Sequence, residues 1–301
     1  MRKSKKTVKA VALMLAVSVL NGFIPAVGLA ASDKSAATIL NAKYETLNDT
    51  LRNNPFQRPL AIDSVESANH IMGDVYARID HPYRTVNTAL KVPTNWCDIL
   101  ILHQNTKYCK ASSSLTGTGV KMMIGKKISQ SLDSAYEVNL AYRVLASDQN
   151  YLAVQLTADG GPMGTKNYRI LLEAIPLANN QTFLHFTYSY DYGFSGGMAL
   201  KAYLATIGSR KVGFTLEADA SHTSSSYIGG MRGMVERNTM RYYLAIDSYL
   251  GALSAPPEKQ LNKRLQDWFI ATEQYPRQLH EINKVAYLTM KQEEINRMAP
   301  M

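Results

Sequence analysis

The sequence predicts an α+β domain: an antiparallel sheet built as a meander, followed by a helical C-terminal third. Three observations carry this expectation. Apolar residues alternate with period two in short segments between 119 and 190, and strong turn sequences separate those segments. After 197 the apolar spacing becomes helical. No strand–helix–strand alternation occurs in the sheet region, which argues against a parallel sheet.

Arg2, Lys3, Lys5, Lys6 and Lys9 form a basic start, 11–20 is an apolar run, and 21–31 ends in small residues with Ala30 or Ala31 as cleavage choices. This is the pattern of a secretory signal peptide over 1–31. An apolar run of about ten residues is too short to cross a bilayer, which takes roughly twenty. No cysteine stands directly after the cleavage region, so a lipid anchor is not indicated. Export to the periplasm or the medium is the expectation. Removal of the segment takes away five of the nine net positive charges and leaves +4. So small a balance does not point to nucleic acid as a partner.

Helical spacing of Ile39, Leu40, Tyr44, Leu47 and Leu51 predicts a helix over 35–52, stopped by Asn53, Asn54 and Pro55. Residues 56–67 read as an extended link, 75–79 as a strand, and 80–90 as the start and body of a short helix that ends before Pro93. Alternation at Val120, Met122 and Ile124 predicts the next strand. Val138, Leu140, Tyr142 and Val144 predict another, half-buried one. Strands over 151–158, 168–175 and 182–190 come next, parted by turns at Asp159-Gly160-Gly161-Pro162 and Ala178-Asn179-Asn180. A short helix is expected over 197–207, a Ser/Gly-rich loop over 221–230, and a longer helix over 234–253 that stops at Pro256-Pro257. Two amphipathic helices, 258–274 and 276–297, complete the chain, with Pro276 at a helix start, where its missing N–H costs nothing. The domain division is therefore 1–31, 32–67, 68–255 and a helical extension over 256–301.

Cys97 and Cys109 are the two cysteines of the chain. In an exported protein such a pair reads most simply as a disulfide. Closing so short a loop stabilises by about 3 kcal/mol in the chain-entropy model. No histidine ladder or Cys-x-x-Cys accompanies the pair, and no two of the six histidines stand three or four residues apart. No metal and no cofactor are expected.

The phrase Gly73-Asp74-Val75-Tyr76-Ala77-Arg78-Ile79, the stretch from Pro82 to Trp96, the strand run and the long helix after it resemble the START and birch-pollen-allergen superfamily. The resemblance spans 71–253. It implies a helix-grip fold, in which a curved antiparallel sheet wraps a long C-terminal helix and encloses a hydrophobic cavity; this chain would add N- and C-terminal helices to it. It implies a hydrophobic small-molecule ligand of lipid, sterol-like or polyketide-like class, held by sequestration, with transient membrane contact for ligand exchange. The residues expected to line such a cavity are Met122, Leu140, Tyr142, Phe186, Tyr188, Arg237, Met240 and Tyr243. Two features depart from the family: the helix and loop over 197–230 and the helices after 256.

Two sharper chemistries are also legible. Arg237 and Arg241 are i, i+4 neighbours on the long helix, where an arginine facing an apolar pocket could bind a ligand hydroxyl or carboxylate. An ion pair with Glu236, Glu173 or Asp247 is the plainer account. Gly193-Phe194-Ser195-Gly196-Gly197 matches the hydrolase pattern G-x-S-x-G between a strand and a helix, with Asp247 and His280 later in triad order. The antiparallel strands upstream and the lack of an oxyanion segment weigh against it. A cyclase-type cavity enzyme and a docking role for the C-terminal helices are the remaining alternatives.

Overall fold

A computed structural model describes residues 27–114, 117–206, 208–218 and 225–298. The basic start and apolar run of the expected signal peptide lie outside the described residues. The chain opens with α1 (Val27–Arg52), then a hairpin of β1 (Leu60–Ser67) and β2 (His70–Ile79). Helices α2 (Tyr83–Leu90) and α3 (Pro93–Leu100) lead to β3 (Thr106–Ser114) and β4 (Gly117–Ile124). The meander continues through β5 (Tyr136–Ser147), β6 (Leu152–Gly160), β7 (Thr165–Pro176) and β8 (Thr182–Tyr192). Next come α4 (Phe194–Ala205), the short strands β9 (Leu216–Ala218) and β10 (Ser225–Tyr227), and the long α5 (Gly230–Ala252). The chain closes with α6 (Pro257–Glu273), α7 (Pro276–Leu279) and α8 (Lys284–Asn296).

Eight strands form one antiparallel sheet in the order β1-β2-β8-β7-β6-β5-β4-β3. Register shifts at Thr106/Tyr108, Val144/Ala146 and Lys166/Arg169 are bulges, which sharpen strand twist and curl a sheet. The alternating residues of one face are apolar: Val75 pairs with Phe186, Leu172 with Phe186, Leu156 with Tyr142 and Met122 with Val138. This face is closed by α5, which packs on β1, β2 and β8. The approach is close at Gly73, where a Cβ would stand 2.5 Å from Thr239 Oγ1. The fold is thus helix-grip, and α5 is the gripped helix.

Three expectations are corrected. The link over 56–67 holds β1, because Leu60, Ala61 and Ser64 turn into the interior while the β2 edge supplies hydrogen-bond partners. The segment 106–114, unassigned from sequence, is β3, with Cys109 buried and serines exposed. The single helix over 276–297 is two, broken at 280–283, where the Asn283 side chain accepts the Ala286 N–H and starts α8 afresh. The Cys97–Cys109 disulfide is formed and ties α3 to β3.

The outer face of the sheet carries α1, whose Leu40, Tyr44, Leu47 and Leu51 pack on Tyr151, Ile175 and Phe183. Beside that contact lies a polar network. His185 Nε2 donates to Asp74 Oδ1 at 2.8 Å and Nδ1 donates to Glu173 Oε2 at 2.9 Å. Thr187 donates to the same Asp74 oxygen at 2.6 Å, and Tyr151 to Glu173. The imidazole stacks on Tyr76 at 4.2 Å, and Lys43 of α1 lies over the Tyr76 ring at 4.9 Å. Burial lowers the His185 pKa, but its hydrogen bonds and the charges of Asp74 and Glu173 outweigh that and raise it.

On the inner side, Glu236 of α5 is fully buried. Its carboxylate accepts from Ser64 Oγ at 2.7 Å, Thr215 Oγ1 at 2.7 Å, and the backbone N–H groups of Phe214 and Thr215 at 2.6 and 3.0 Å. One side chain thereby fastens β1 and the 213–216 segment to α5.

Two measurements test these networks. A folded pKa raised above the unfolded value of about 6.5 gives stability that is complete below that pH and is lost as pH climbs through the folded value. The Tm difference between the wild type and His185→Gln is therefore expected to be largest near about pH 6 and to shrink toward about pH 9. A difference independent of pH would contradict a charged imidazole. Glu236→Ala strands four donors at once, and urea unfolding is expected to show a loss of about 3 kcal/mol or more.

Candidate functional site

One end of the interface between sheet and α5 is not filled. There the ends of β7 and β8, the loop after β4, the 162–165 turn, α4 and the first half of α5 line a half-open cavity of about 270 Å3. That lies just below the roughly 300–1,000 Å3 of ordinary small-molecule pockets.

Its floor is aromatic. Tyr168, Tyr188 and Tyr190 come from the sheet and Tyr242 from α5. Their rings contact one another, Tyr168 with Tyr190 at 5.1 Å and Tyr188 with Tyr242 at 5.4 Å. Burial pushes the Tyr168 hydroxyl up to about 12 and raises those of Tyr188, Tyr190 and Tyr242 as well. All four phenols stay protonated near neutrality. Tyr168 shares a 2.6 Å hydrogen bond with Thr165 Oγ1, which itself donates to the Pro162 carbonyl. The turn after Gly160 borders the space, through Pro162, Met163 and Thr165. The start of α4 presses on it: a Cβ at Gly196 would stand 2.9 Å from the Gly164 carbonyl oxygen.

The opposite wall is cationic, formed by Lys127, Arg237 and Arg241 with His103 beside them. Arg237 donates to the Val212 carbonyl at 3.2 Å. Arg241 donates to Glu281 Oε1 at 2.9 Å and to the Leu279 carbonyl at 3.3 Å. Glu281 also receives Lys127, and Lys211 at 2.6 Å. Burial would raise the Glu281 pKa, but Arg241 and Lys127 overcome it and hold it at about 2. Burial and the Arg241 charge bring Lys127 down to about 7 against the support of Glu281.

His103 is buried and stacks on Tyr242 at 4.9 Å. Its Nδ1 accepts the Asn105 N–H at 3.1 Å, which assigns the proton to Nε2. Burial and the charges of Arg241, Lys291, Lys127 and Lys107 lower its pKa well below the ordinary value, so the ring is neutral. Nε2 is a buried nitrogen with no protein partner among the described residues.

Of the residues expected to line a cavity, Tyr188 and Arg237 do so, and Arg241 of the expected arginine pair joins them. Met122, Leu140, Tyr142 and Phe186 lie on the same inner face but in its packed part; Tyr142 Oη donates to the Leu90 carbonyl at 3.1 Å. Met240 is fully buried in the core. Tyr243 lies on another face of α5, near Arg58, Asp247 and Tyr275. The carboxylates expected to pair with the arginines are occupied elsewhere: Glu236 by the 213–216 segment, Glu173 by His185, and Asp247 by Arg58 at 2.7 Å.

The hydrolase reading loses its relay. His280 Nδ1 pairs with Glu273 at 2.9 Å, while Asp247 sits with Arg58 and His81. Asp247 and His280 are thus not each other's partners, and the side chain of Ser195 lies outside the described residues. A more open depression of about 500 Å3 between α2, α3 and the end of α5 includes Thr88, Val92, Tyr249 and Leu253. It has no buried polar atom in want of a partner among the described residues.

Sheet, gripped helix and end cavity give the chain a helix-grip architecture. No protein-family model matches the chain, and no curated protein matches its sequence. Solved structures similar to it include a norcoclaurine synthase point mutant from Thalictrum flavum in complex with a transition-state analogue, 11% identical with a TM-score of 0.34, covering 49% of this chain and 92% of that one. Human StAR-related lipid transfer protein 5 is 12% identical with a TM-score of 0.30, over 57% of this chain and 90% of that one. A conserved protein of unknown function from Enterococcus faecalis is 10% identical with a TM-score of 0.31, over 79% and 92%.

A lysine with a pKa of about 7 is partly neutral where ordinary lysines, near 10.4, are not. In limited acetylation at about pH 7.5, Lys127 is expected to react roughly tenfold faster than the exposed Lys259, read by peptide mass spectrometry. Equal rates would show that Lys127 keeps an ordinary pKa.

Proposed function

We propose that this chain is a binding or carrier protein that sequesters a small, largely apolar molecule in the cavity between the sheet end and α5. The observation that carries the reading is the half-open cavity itself: tyrosine rings form one wall, and the 162–165 turn and α4 stand at its edge. Aromatic walls supply apolar area, and a few placed polar groups fix orientation. At about 270 Å3 the space favours a one- or two-ring molecule over a sterol or an acyl-chain lipid. Within the expected ligand classes this selects the small polyketide-like end.

The chain is read as exported, to the periplasm or beyond. The basic and apolar N-terminal pattern supports this, and so does the disulfide, since such bonds persist in oxidising compartments. No helix among the described residues is long and apolar enough to cross a membrane. Ligand exchange is proposed to occur by movement of the 161–164 turn against α4. Met163 and Met198, both exposed, offer an apolar surface for brief membrane contact at that edge.

Native mass spectrometry of protein purified from its own compartment tests the reading. A small apolar molecule is expected to co-purify with the wild type. Leu200→Trp, which puts an indole into the cavity wall, is expected to lose it. A wild-type protein that carries nothing over several preparations, and takes up no aromatic compound afterwards, would sink the carrier idea.

A further inference from the structure

Resting on that ligand-binding reading, we propose that the cavity is built for an anion: an aromatic carboxylic acid whose carboxylate meets Lys127, Arg237, Arg241 and His103 while its ring lies on the tyrosines.

The charge inventory is one-sided. Lys127, Arg237 and Arg241 line the space, and no aspartate or glutamate does so among the described residues. Behind the wall, Lys127, Lys211 and Arg241 converge on a single carboxylate, Glu281. Among the described residues, three cations about one anion leave two positive charges in excess when the lysines are protonated. Arg241 is nearly inaccessible and Glu281 is only 10% exposed on its side chain, so water screens this excess weakly. A neutral apolar ligand would leave the imbalance in place and strip it of water, whereas a carboxylate would neutralise part of it.

His103 is an independent observation. Its Nε2–H is a buried donor without a protein acceptor among the described residues, on a ring held neutral by burial and the same cations. A buried donor left unpaired costs roughly as much as a lost hydrogen bond, so its place beside the cavity calls for an acceptor from outside the chain. The four phenols, protonated near neutrality, bring no competing negative charge. Tyr168 stacks on Tyr190 and the His103 ring on Tyr242, aromatic surfaces against which an aryl group can pack.

The test uses the full mature chain with 2-naphthoate and its neutral analogue 2-naphthamide, by isothermal titration calorimetry. At about pH 6 the acid is expected to bind about tenfold or more tightly than the amide. In Lys127→Gln and Arg237→Gln the acid should fall to the level of the amide. A wild-type far-UV circular dichroism spectrum in both variants shows that they fold, and a larger loss for the acid than for the amide shows that the charge is what binding has lost. Above about pH 7 the preference of the wild type for the acid should narrow, because Lys127 loses its proton among Arg241, Lys211, Glu281 and His103. That narrowing should be absent in Lys127→Gln. Equal binding of acid and amide at about pH 6 overturns the anion site and leaves the cavity reading standing. Binding of neither compound overturns both.

Discussion

The structure depends on one constraint: α5 is buried on every side, yet it carries Glu236, Arg237 and Arg241. A helix enclosed all round is ordinarily apolar throughout, and a buried charge is tolerated only when paired and hydrogen-bonded. The chain beyond β8 supplies those partners. The 213–216 segment brings two N–H groups and a hydroxyl to Glu236. The α7–α8 junction brings Glu281 to Arg241. Trp268 of α6 donates to the Arg241 carbonyl at 3.1 Å, sealing the far side of the helix. The 213–216 segment and the helices after 256 thus act together to let a charged helix sit in the sheet's hollow.

The sheet is readable in the sequence because alternation is a local signal. Strands with one buried face repeat their apolar residues every second position, and β5 through β8 do this clearly. β1 and β3 escape the same reading for a physical reason. Each is a sheet edge, with only one neighbouring strand, and exposed Asp63, Glu66, Ser112 and Ser113 on their two faces blunt the alternation. The single helix expected over 276–297 conceals a cap. In the sequence Asn283 is one polar residue on an amphipathic face, and only the turn of the chain toward Glu281 and the cavity wall gives it a capping role.

The candidate site is less legible than the sheet. Alternation can tell which face of a strand looks inward, and Met122, Leu140, Tyr142, Phe186 and Tyr188 do share that face. It cannot tell where along the face packing stops. Helices α2 and α3 fill the space at the β4–β6 side, with Trp96 donating to the Leu90 carbonyl at 2.8 Å and Tyr142 reaching the same oxygen. The opening falls instead at the ends of β7 and β8. His103 and Lys127 escape selection because both stand in loops, where no periodicity marks direction. The faint signal available is Lys126-Lys127 directly after a strand, together with the arginine pair on α5.

The loop that carries His103 is held by several restraints, which bears on how the orphan donor can persist. The Cys97–Cys109 bridge closes the chain around it. From α8, Tyr287 donates to the Leu102 carbonyl at 2.9 Å, and Lys291 to those of His103 and Thr106 at 2.7 and 2.8 Å. Lys107 donates to the Gln104 carbonyl at 2.9 Å, and Glu294 receives both lysines. All three charged groups are fully buried, an arrangement costly to build and more costly to break, since loss of Glu294 would leave two buried ammonium groups facing each other. So firm a clamp prevents His103 from turning to find a partner within the chain. It also adds positive charge behind the ring, which keeps the imidazole neutral and its Nε2 a donor. The C-terminal extension therefore belongs to the site: α8 fixes the donor, the junction before it sets the cations, and the sheet contributes the aromatic wall that both face.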